Sequence, residues 1–278
     1  MACCCEGKSG GAAFKAVDLT LTPISQTNLE RYRVFDKSHL VKPGLNAHLL
    51  IQGKTFQVTG NSFDVLDLNQ NRKAVYQSRG QFLSWGQKRK VFSLGGVDAS
   101  PEPLYQMREQ RAWFAHNYQV VDGMKRGDRE GHEVIGEELL QVHGNCANTQ
   151  QWTVGVTSQS GHKFQLKSEM SFWSYKGGYI YLQDGEAGDD VVEKDLDNQT
   201  TPSVQDGTTT STRVEQEEKR HIVAKVYSPL SAKNFAFPGQ WTARDYVVEI
   251  APGVDAALVL AHVLAYAEMD DDDHHRNK

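Results

Sequence analysis

The residues of this 278-residue chain that could do chemistry are histidines, thiols, carboxylates and cations. Its ten histidines are scattered, and none forms the His-x-x-x-His or His-Glu-x-x-His spacing of a zinc site on a helix. No Cys-x-x-Cys pair occurs. The Gly-x-Ser-x-Gly match at residues 7–11 has no strand before it, which a catalytic serine of that motif needs. We therefore predict no catalytic residue, no metal site, no cofactor and no enzymatic activity.

A run of cations between residues 72 and 90 is the main candidate for ligand binding. No acidic residue lies between Leu68 and Val97. If neighbouring hairpins bring the cations together, they form a positive patch suited to phosphate or anionic lipid. Each Lys or Arg near a charged membrane would contribute about 1 kcal/mol to the binding free energy. The alternative is an ordinary solvated surface. The lipid-binding candidates are Arg72, Lys73, Arg79, Lys88, Arg89 and Lys90.

Three consecutive cysteines, Cys3, Cys4 and Cys5, lie close to the first methionine. Adjacent cysteines do not make a disulfide framework, and the first 30 residues lack the apolar core of a signal peptide, so we expect a cytoplasmic protein. The cluster is typical of S-palmitoylation, which together with a basic patch would supply the two signals of a stable peripheral membrane anchor. Unmodified exposed thiols are the alternative.

Charge is distributed unevenly along the chain. Residues 1–134 carry 18 Lys and Arg against 13 Asp and Glu, a net of +5, whereas residues 135–278 carry 12 against 22, a net of -10. Residues 184–218 alone hold 11 acidic residues against Lys194 and Arg213. Such a segment cannot bury enough apolar surface to offset its ordering entropy, so we predict a disordered acidic insertion within one domain. It could bind a protein partner, and we expect no nucleic acid partner.

The elements that position these clusters are mostly short β-strands separated by turn residues, which favours a barrel or sandwich. Two stretches resemble each other: Phe63–Asn71 leads into Val75-Tyr76-Gln77, and Val91–Asp98 leads into Leu104-Tyr105-Gln106. Each is typical of strand, polar turn and strand, as in successive hairpins. The predicted strands are 47–52, 63–68, 73–77, 90–94, 104–108, 112–121, 151–157, 163–170, 179–183, 221–227 and 245–250.

The most apolar stretch, residues 253–269, predicts a helix with Asp255 as its N-cap. Its length from Asp255 to Met269 would be ~22 Å, too short for the ~30 Å hydrocarbon core of a bilayer. Its faces are apolar all round apart from His262 and the Tyr266 hydroxyl, so protein must surround it. We therefore predict a closed β-barrel around this helix, with Asp270–Asp273 returning to water at the rim.

The stretch from Asp245 to Ala261, DYVVEIAPGVDAALVLA, closely resembles the C-terminal signature of LURP-one-related proteins. The earlier Phe63-x-Val65-x-Asp67, Val75-Tyr76 and residues 80–86 resemble the first hairpins of that family. The resemblance implies the Tubby C-terminal-like superfamily, which includes phospholipid scramblases, and a barrel of about twelve strands around a central helix. Phosphoinositide binding through basic residues is implied by the resemblance to Tubby-like barrels.

From these observations we expect one barrel domain over residues 31–269, after a flexible tail at 1–30 and before an acidic tail at 270–278. Within the domain, 184–218 would be the acidic insertion and 253–269 the central helix. We expect a monomeric, membrane-proximal signalling or adaptor module that binds anionic phospholipid. The alternatives are a protein-interaction scaffold acting through the acidic insertion and, third, scramblase-like lipid transport.

Overall fold

The protein folds as a closed antiparallel β-barrel, seen in a computed structural model that describes residues 20–54, 62–80, 88–94, 103–112, 115–122, 138–144, 151–171, 177–184, 221–227 and 245–276. Its twelve strands follow one another around the barrel, and β1 closes it against β12. This confirms the predicted fold class. The strands are β1 (Ala47–Lys54), β2 (Ser62–Asp67), β3 (Lys73–Gly80), β4 (Lys88–Ser93), β5 (Tyr105–Ala112), β6 (Ala115–Asp122), β7 (Glu138–Gly144), β8 (Gln151–Thr157), β9 (Lys163–Ser171), β10 (Gly177–Asp184), β11 (His221–Tyr227) and β12 (Tyr246–Ile250).

The barrel interior is filled by a long C-terminal helix, α2 (Ala256–Arg276), as predicted. Every residue from Ala256 to Ala267 is buried, and these side chains form one core with the inward-facing residues of the strands. Such burial explains why the stretch is apolar on every face. Its small alanines let the wall approach the helix closely.

The helix ends later than predicted. Its backbone continues through Asp270–Asp273 to Arg276 instead of leaving the helix after Met269. No Gly or Pro interrupts this stretch, and aspartate costs only about 0.7 kcal/mol per residue relative to alanine in a helix. Helical propagation beyond the core is therefore tolerated, and the predicted acidic tail begins as the last turns of α2.

We call the barrel end where α2 begins the base and the opposite end the rim. Ile250, the last residue of β12, pairs with Ala47, the first residue of β1, so both lie at the base. Because successive strands are antiparallel, β3 runs from the base to the rim and β4 returns from the rim to the base.

An N-terminal arm, residues 20–46, covers part of the base. It includes a short helix, α1 (Leu29–Tyr32). The Thr22 amide donates to the carbonyl of Ile222, and Val41 exchanges hydrogen bonds with the turn before α2. Leu21 and Ile24 pack against the barrel core. The predicted flexible tail at 1–30 therefore needs correction at its end, since residues 20–30 are held by backbone bonds and apolar contacts.

The turn between β12 and α2 requires glycine at one position. Gly253 has a φ of +80°, and a Cβ there would lie 2.7 Å from both the Ile24 carbonyl oxygen and the Leu29 Cδ2. A side chain would therefore collide with the arm as well as strain the backbone.

The strand β7 was not predicted, and the predicted strand at 112–121 is interrupted, since β5 ends at Ala112 and β6 starts at Ala115. Cys3–Cys5 and residues 185–218 of the predicted insertion lie outside the described residues. In the part of the chain that the structure describes, no helix combines the length and apolarity needed to cross a bilayer.

Candidate functional site

The predicted basic run lies on β3 and β4, where alternate residues face opposite sides of the wall. Their inward-facing side chains are buried, and so are those of the neighbouring β5; they are Tyr76, Ser78, Arg89, Val91, Tyr105 and Met107. The intervening residues lie on the outer surface. Strand alternation therefore divides the run into two sets that cannot act together.

Three cations with described side chains share the outer surface of these three strands. Arg79 on β3 is the direct cross-strand partner of Lys90 on β4. Lys90 is in turn the partner of Gln106 on β5, and Arg108, two residues further along β5, faces the same side. We call Arg79, Lys90 and Arg108 the basic face; the side chain of the predicted candidate Lys88 lies outside the described residues. Like charges placed directly opposite each other repel, so this arrangement favours an anionic ligand between the strands.

Arg79 is oriented by its neighbours on the outer surface. Its Nε donates to the side-chain oxygen of Gln77 at 2.7 Å, and its guanidinium lies over the ring of Phe92 at 4.9 Å. Gln77 in turn donates from Nε2 to Asp64 at 3.1 Å. These contacts restrict the orientation of the Arg79 guanidinium.

Arg108 was missed by the sequence analysis, although the internal repeat contained the signal. Its Nη2 donates to the side-chain oxygen of Gln106 at 3.4 Å, two residues earlier on the same strand. Tyr76-Gln77-Ser78-Arg79 and Tyr105-Gln106-Met107-Arg108 are thus equivalent stretches, 29 residues apart. Each turns its tyrosine inward and its glutamine and arginine outward.

Three of the predicted candidates lie elsewhere. Arg89 faces the interior, with 4% of its surface exposed, where Nη1 donates to Ser78 and the guanidinium lies over Phe63. Lys73 lies at the base, six residues or about 20 Å along β3 from Arg79, with Arg72 in the turn before it. The six candidates therefore do not form one patch.

A second polar cluster is buried at the base. Asp255 accepts hydrogen bonds from the amides of Val34 and Phe35 in the arm and from those of Ala257 and Leu258 in α2. Burial raises the pKa of Asp255 above its ordinary value, although these amides and nearby His39 act against the shift. Desolvation lowers the pKa of His39. The cluster joins the arm to the helix and is a structural element of the fold.

On the opposite side of the barrel, two outer carboxylates have close partners. Lys225 on β11 lies 3.0 Å from Glu249 on β12, and Tyr179 on β10 donates to Glu169 on β9. Among the described residues, no group of His, Cys, Asp and Glu is arranged to hold a metal ion. The basic face, in contrast, brings cations together without an acidic cross-strand partner and suits an external anion.

The comparisons with known proteins agree with this architecture. The family model described as LURP-one-related matches residues 47–267, from the first residue of β1 to the last buried residue of α2. No curated protein matches the chain. The match spans all twelve strands and the buried part of the central helix.

Proposed function

The chain belongs to the LURP-one-related family, and on that premise we propose that it is a non-enzymatic, cytoplasmic module that binds anionic phospholipid, phosphoinositide above all, through the basic face. Bound in this way, the monomer would act as a membrane-proximal adaptor or signalling protein. The barrel fold is consistent with the Tubby-like superfamily.

The observation that carries the proposal is the register of β3, β4 and β5. It places Arg79 directly opposite Lys90, and it places Arg108 on the same outer surface one strand further on. Each cation near an anionic membrane contributes about 1 kcal/mol, and the attraction falls off within a Debye length. Cations grouped within a small area attract an anionic headgroup more strongly than the same number of scattered cations do.

S-palmitoylation of Cys3–Cys5 is the second part of the proposal. Basic-face binding alone is reversible, and an acyl chain together with a basic surface gives stable anchoring. The first described residues of the chain lie at the base, where the Thr22 amide donates to the Ile222 carbonyl on β11. In cells, release of the protein from membranes by hydroxylamine, which cleaves thioesters, would check this part.

A second candidate function is recognition of a protein partner by the acidic segment. The observation that favours it is the length of chain between β10 and β11, 36 residues from 185 to 220, although the two strands are antiparallel neighbours. A hairpin needs roughly two to five residues there, so the segment is not required for strand pairing.

Vesicle co-sedimentation of the unacylated full-length chain tests the lipid proposal. We expect Lys90→Ala to weaken binding to phosphoinositide vesicles by about 1 kcal/mol, or roughly fivefold. Arg89 is left intact because its side chain is buried and its removal would disturb the barrel. Lys73→Ala is the matched control, an exposed cation on β3 at the base.

The control should bind like the wild type. Equal losses in Lys73→Ala and in Lys90→Ala would show diffuse charge attraction instead of a site. No binding of the wild type to any anionic vesicle at low salt would overturn the proposal.

A further inference from the structure

Four polar side chains join α1 of the arm to the base of the barrel. The Tyr32 hydroxyl lies within hydrogen-bond distance of both carboxylate oxygens of Asp184, at 3.0 and 3.1 Å, and Arg31 Nη2 donates to Asp184 Oδ2 at 3.0 Å. Arg31 Nε donates to Nε2 of His162 at 3.0 Å. Asp184 ends β10 and His162 immediately precedes β9, so two neighbouring strands hold α1. We call Arg31, Tyr32, His162 and Asp184 the α1 clasp.

One nitrogen of the clasp has two partners that require opposite protonation states. His162 Nε2 accepts from Arg31 and also lies 3.2 Å from Oδ1 of Asp184. A ring nitrogen without a proton can accept from arginine but cannot bond to a carboxylate, whereas a ring nitrogen with a proton donates to the carboxylate and cannot accept. The two hydrogen bonds therefore alternate. In a cationic ring Nε2 always carries a proton, so only the bond to Asp184 remains.

The carboxylate of the clasp is charged in both states. Burial acts against the ionisation of Asp184, but hydrogen bonds from His162 and Tyr32 and the nearby charge of Arg31 outweigh it and lower the pKa of Asp184. Histidine is the side chain type that gains a charge between pH 8 and pH 5. A clasp of one cation and one anion thereby becomes a clasp of two cations and one anion.

The added proton transfers Asp184 from the arm to the barrel. A cationic His162 donates to Asp184 Oδ1, an oxygen that also lies 3.0 Å from the Tyr32 hydroxyl. The same cation repels the guanidinium of Arg31, whose Nε lies 3.0 Å away. His162 and Asp184 both belong to the barrel, whereas Arg31 and Tyr32 belong to α1. Protonation therefore strengthens a contact within the barrel and weakens the polar contacts to α1.

Other ionisable groups surround the clasp. Glu30 on α1 lies 2.6 Å from Arg33 and 3.0 Å from Lys37, both in the arm. Lys163 follows the clasp histidine in the sequence and is exposed. His221 begins β11, next to the strand that ends at the clasp carboxylate. His221 is therefore the neighbouring titratable ring whose contribution an experiment must separate from that of the clasp.

The part of the arm after α1 is held independently of the clasp. The amides of Val34 and Phe35 donate to Asp255, and the side chain of Gln159 donates to the carbonyls of the same two residues. Before α1, none of residues 20–28 is fully buried. Opening of the clasp would therefore loosen residues 20–32 and leave residues 34–41 in place.

We propose that the α1 clasp is a proton-operated link between the arm and the barrel, closed when His162 is neutral and open when it is protonated. The open state lets residues 20–32 separate from the base, so the chain before Thr20 is tethered to the barrel by a longer segment. This device is independent of lipid binding and goes beyond the proposed function.

Amide hydrogen exchange of the full-length chain at about pH 7.5 and about pH 5.5, followed by mass spectrometry at short times, tests the proposal. His162→Gln is the main variant, because a glutamine oxygen can accept from Arg31 and does not titrate. Comparing variant and wild type at one pH cancels the intrinsic pH dependence of exchange. In residues 20–32 we expect equal rates at the higher pH and about fivefold faster exchange in the wild type at the lower pH, as for the loss of one partly exposed ion pair.

Two further variants make the test specific. His221→Gln is the matched control and should respond to pH like the wild type, because it removes a neighbouring ring that is outside the clasp. Asp184→Asn removes the anion that holds Arg31 and Tyr32, so residues 20–32 should exchange fast at both pH values. Melting temperatures at both pH values establish that every variant is folded.

The outcomes are distinct. The inference fails if folded His162→Gln and the wild type exchange equally at the lower pH, or if His221→Gln abolishes the pH response. It also fails if Asp184→Asn exchanges as slowly as the wild type at the higher pH. Faster exchange that extends into residues 34–41 would show general destabilisation by acid and would overturn the inference as well.

Discussion

At the residue scale, His262 is a buried titratable group at the centre of the molecule. It lies on α2 with none of its surface exposed, and its Nε2 is 2.8 Å from the hydroxyl of Ser168 on β9. Burial lowers the pKa of His262 to about 3, from an ordinary value of 6.5. The side chain is therefore neutral in the folded protein at every physiological pH.

His262 should make the protein sensitive to acid. Between pH 6.5 and about 3 the unfolded chain binds a proton at this residue and the folded protein does not, so stability is full above 6.5 and is lost as the pH falls. The loss from this group is about 2 kcal/mol at pH 5. His262→Gln lacks this titrating group. The difference in free energy of unfolding between wild type and variant should therefore shrink on acidification, as measured by urea denaturation. A gap that stays constant from pH 7 to pH 4 would contradict the assignment.

The basic face shows how far the sequence alone predicts which side chains share a surface. A run such as Lys88-Arg89-Lys90 suggests three equivalent cations, but a strand turns its middle residue to the other side, and here that side is the core. Applying the alternation to the run would have placed Arg89 inside. Arg108 could have been found by extending the repeat two residues beyond Tyr105-Gln106. The cross-strand register, which depends on turn geometry and packing, was not available from the sequence.

At the scale of elements, the junction of the arm with α2 depends on one carboxylate. Asp255 Oδ1 accepts from two amides of the first turn of the helix, and Oδ2 accepts from two amides of the arm. The first turn of any helix leaves amides without partners inside the helix. Here the Asp255 carboxylate accepts hydrogen bonds from these amides and also from the arm, which is more than 200 residues away in the sequence.

We expect Asp255→Ala to reduce the free energy of unfolding by about 3 kcal/mol, because it removes an N-cap and leaves buried amides without acceptors. Asp36→Ala is the matched control, since Asp36 accepts from the nearby amide of Ser38 on an exposed turn and its loss should cost about 1 kcal/mol or less. Chemical denaturation measures both values. Similar losses in the two variants would mean that the arm contributes little to the stability of the base.

The helix and strands that were predicted correctly are those with a strong local sequence pattern. The central helix and strands such as β8 and β11 had apolar or β-branched patterns that packing only reinforced. The strand β7 has the sequence ELLQVHG, whose leucines and glutamate are good helix formers, and only pairing with β6 and β8 makes it a strand. The helix end was misplaced because aspartates were interpreted as a boundary, although they are not helix breakers.

At the scale of the whole molecule, the basic face lies opposite β10, the strand that precedes the acidic segment. In the closed order of twelve strands, β10 lies six strands from β4 in either direction. The acidic segment leaves from the end of β10 at the base. A barrel that rests on an anionic membrane through β3–β5 would therefore start its acidic segment from the side turned away from the lipid, where repulsion by the membrane is weakest.

Deletion of the acidic segment should leave the barrel intact, provided that Asp184 is kept. Asp184 accepts hydrogen bonds from Arg31 and Tyr32 of α1, so it belongs to the folded base and not to the insertion. Replacing residues 186–218 with a short Gly-Ser linker should change the melting temperature by less than about 4 °C, because β10 and β11 are neighbours. Calorimetry would measure the change, and a larger fall would mean that the segment stabilises the fold.

The position of α2 after the last strand also has a consequence for synthesis on the ribosome. As the strands emerge, their inward residues have nothing to pack against, because the helix that fills the barrel is translated only after β12. Until then the nascent chain exposes apolar surface and unpaired strand edges, the features that recruit chaperones and promote aggregation. Productive folding of this domain is therefore post-translational or occurs in the last moments of translation, and a premature stop before α2 would yield a chain with no core.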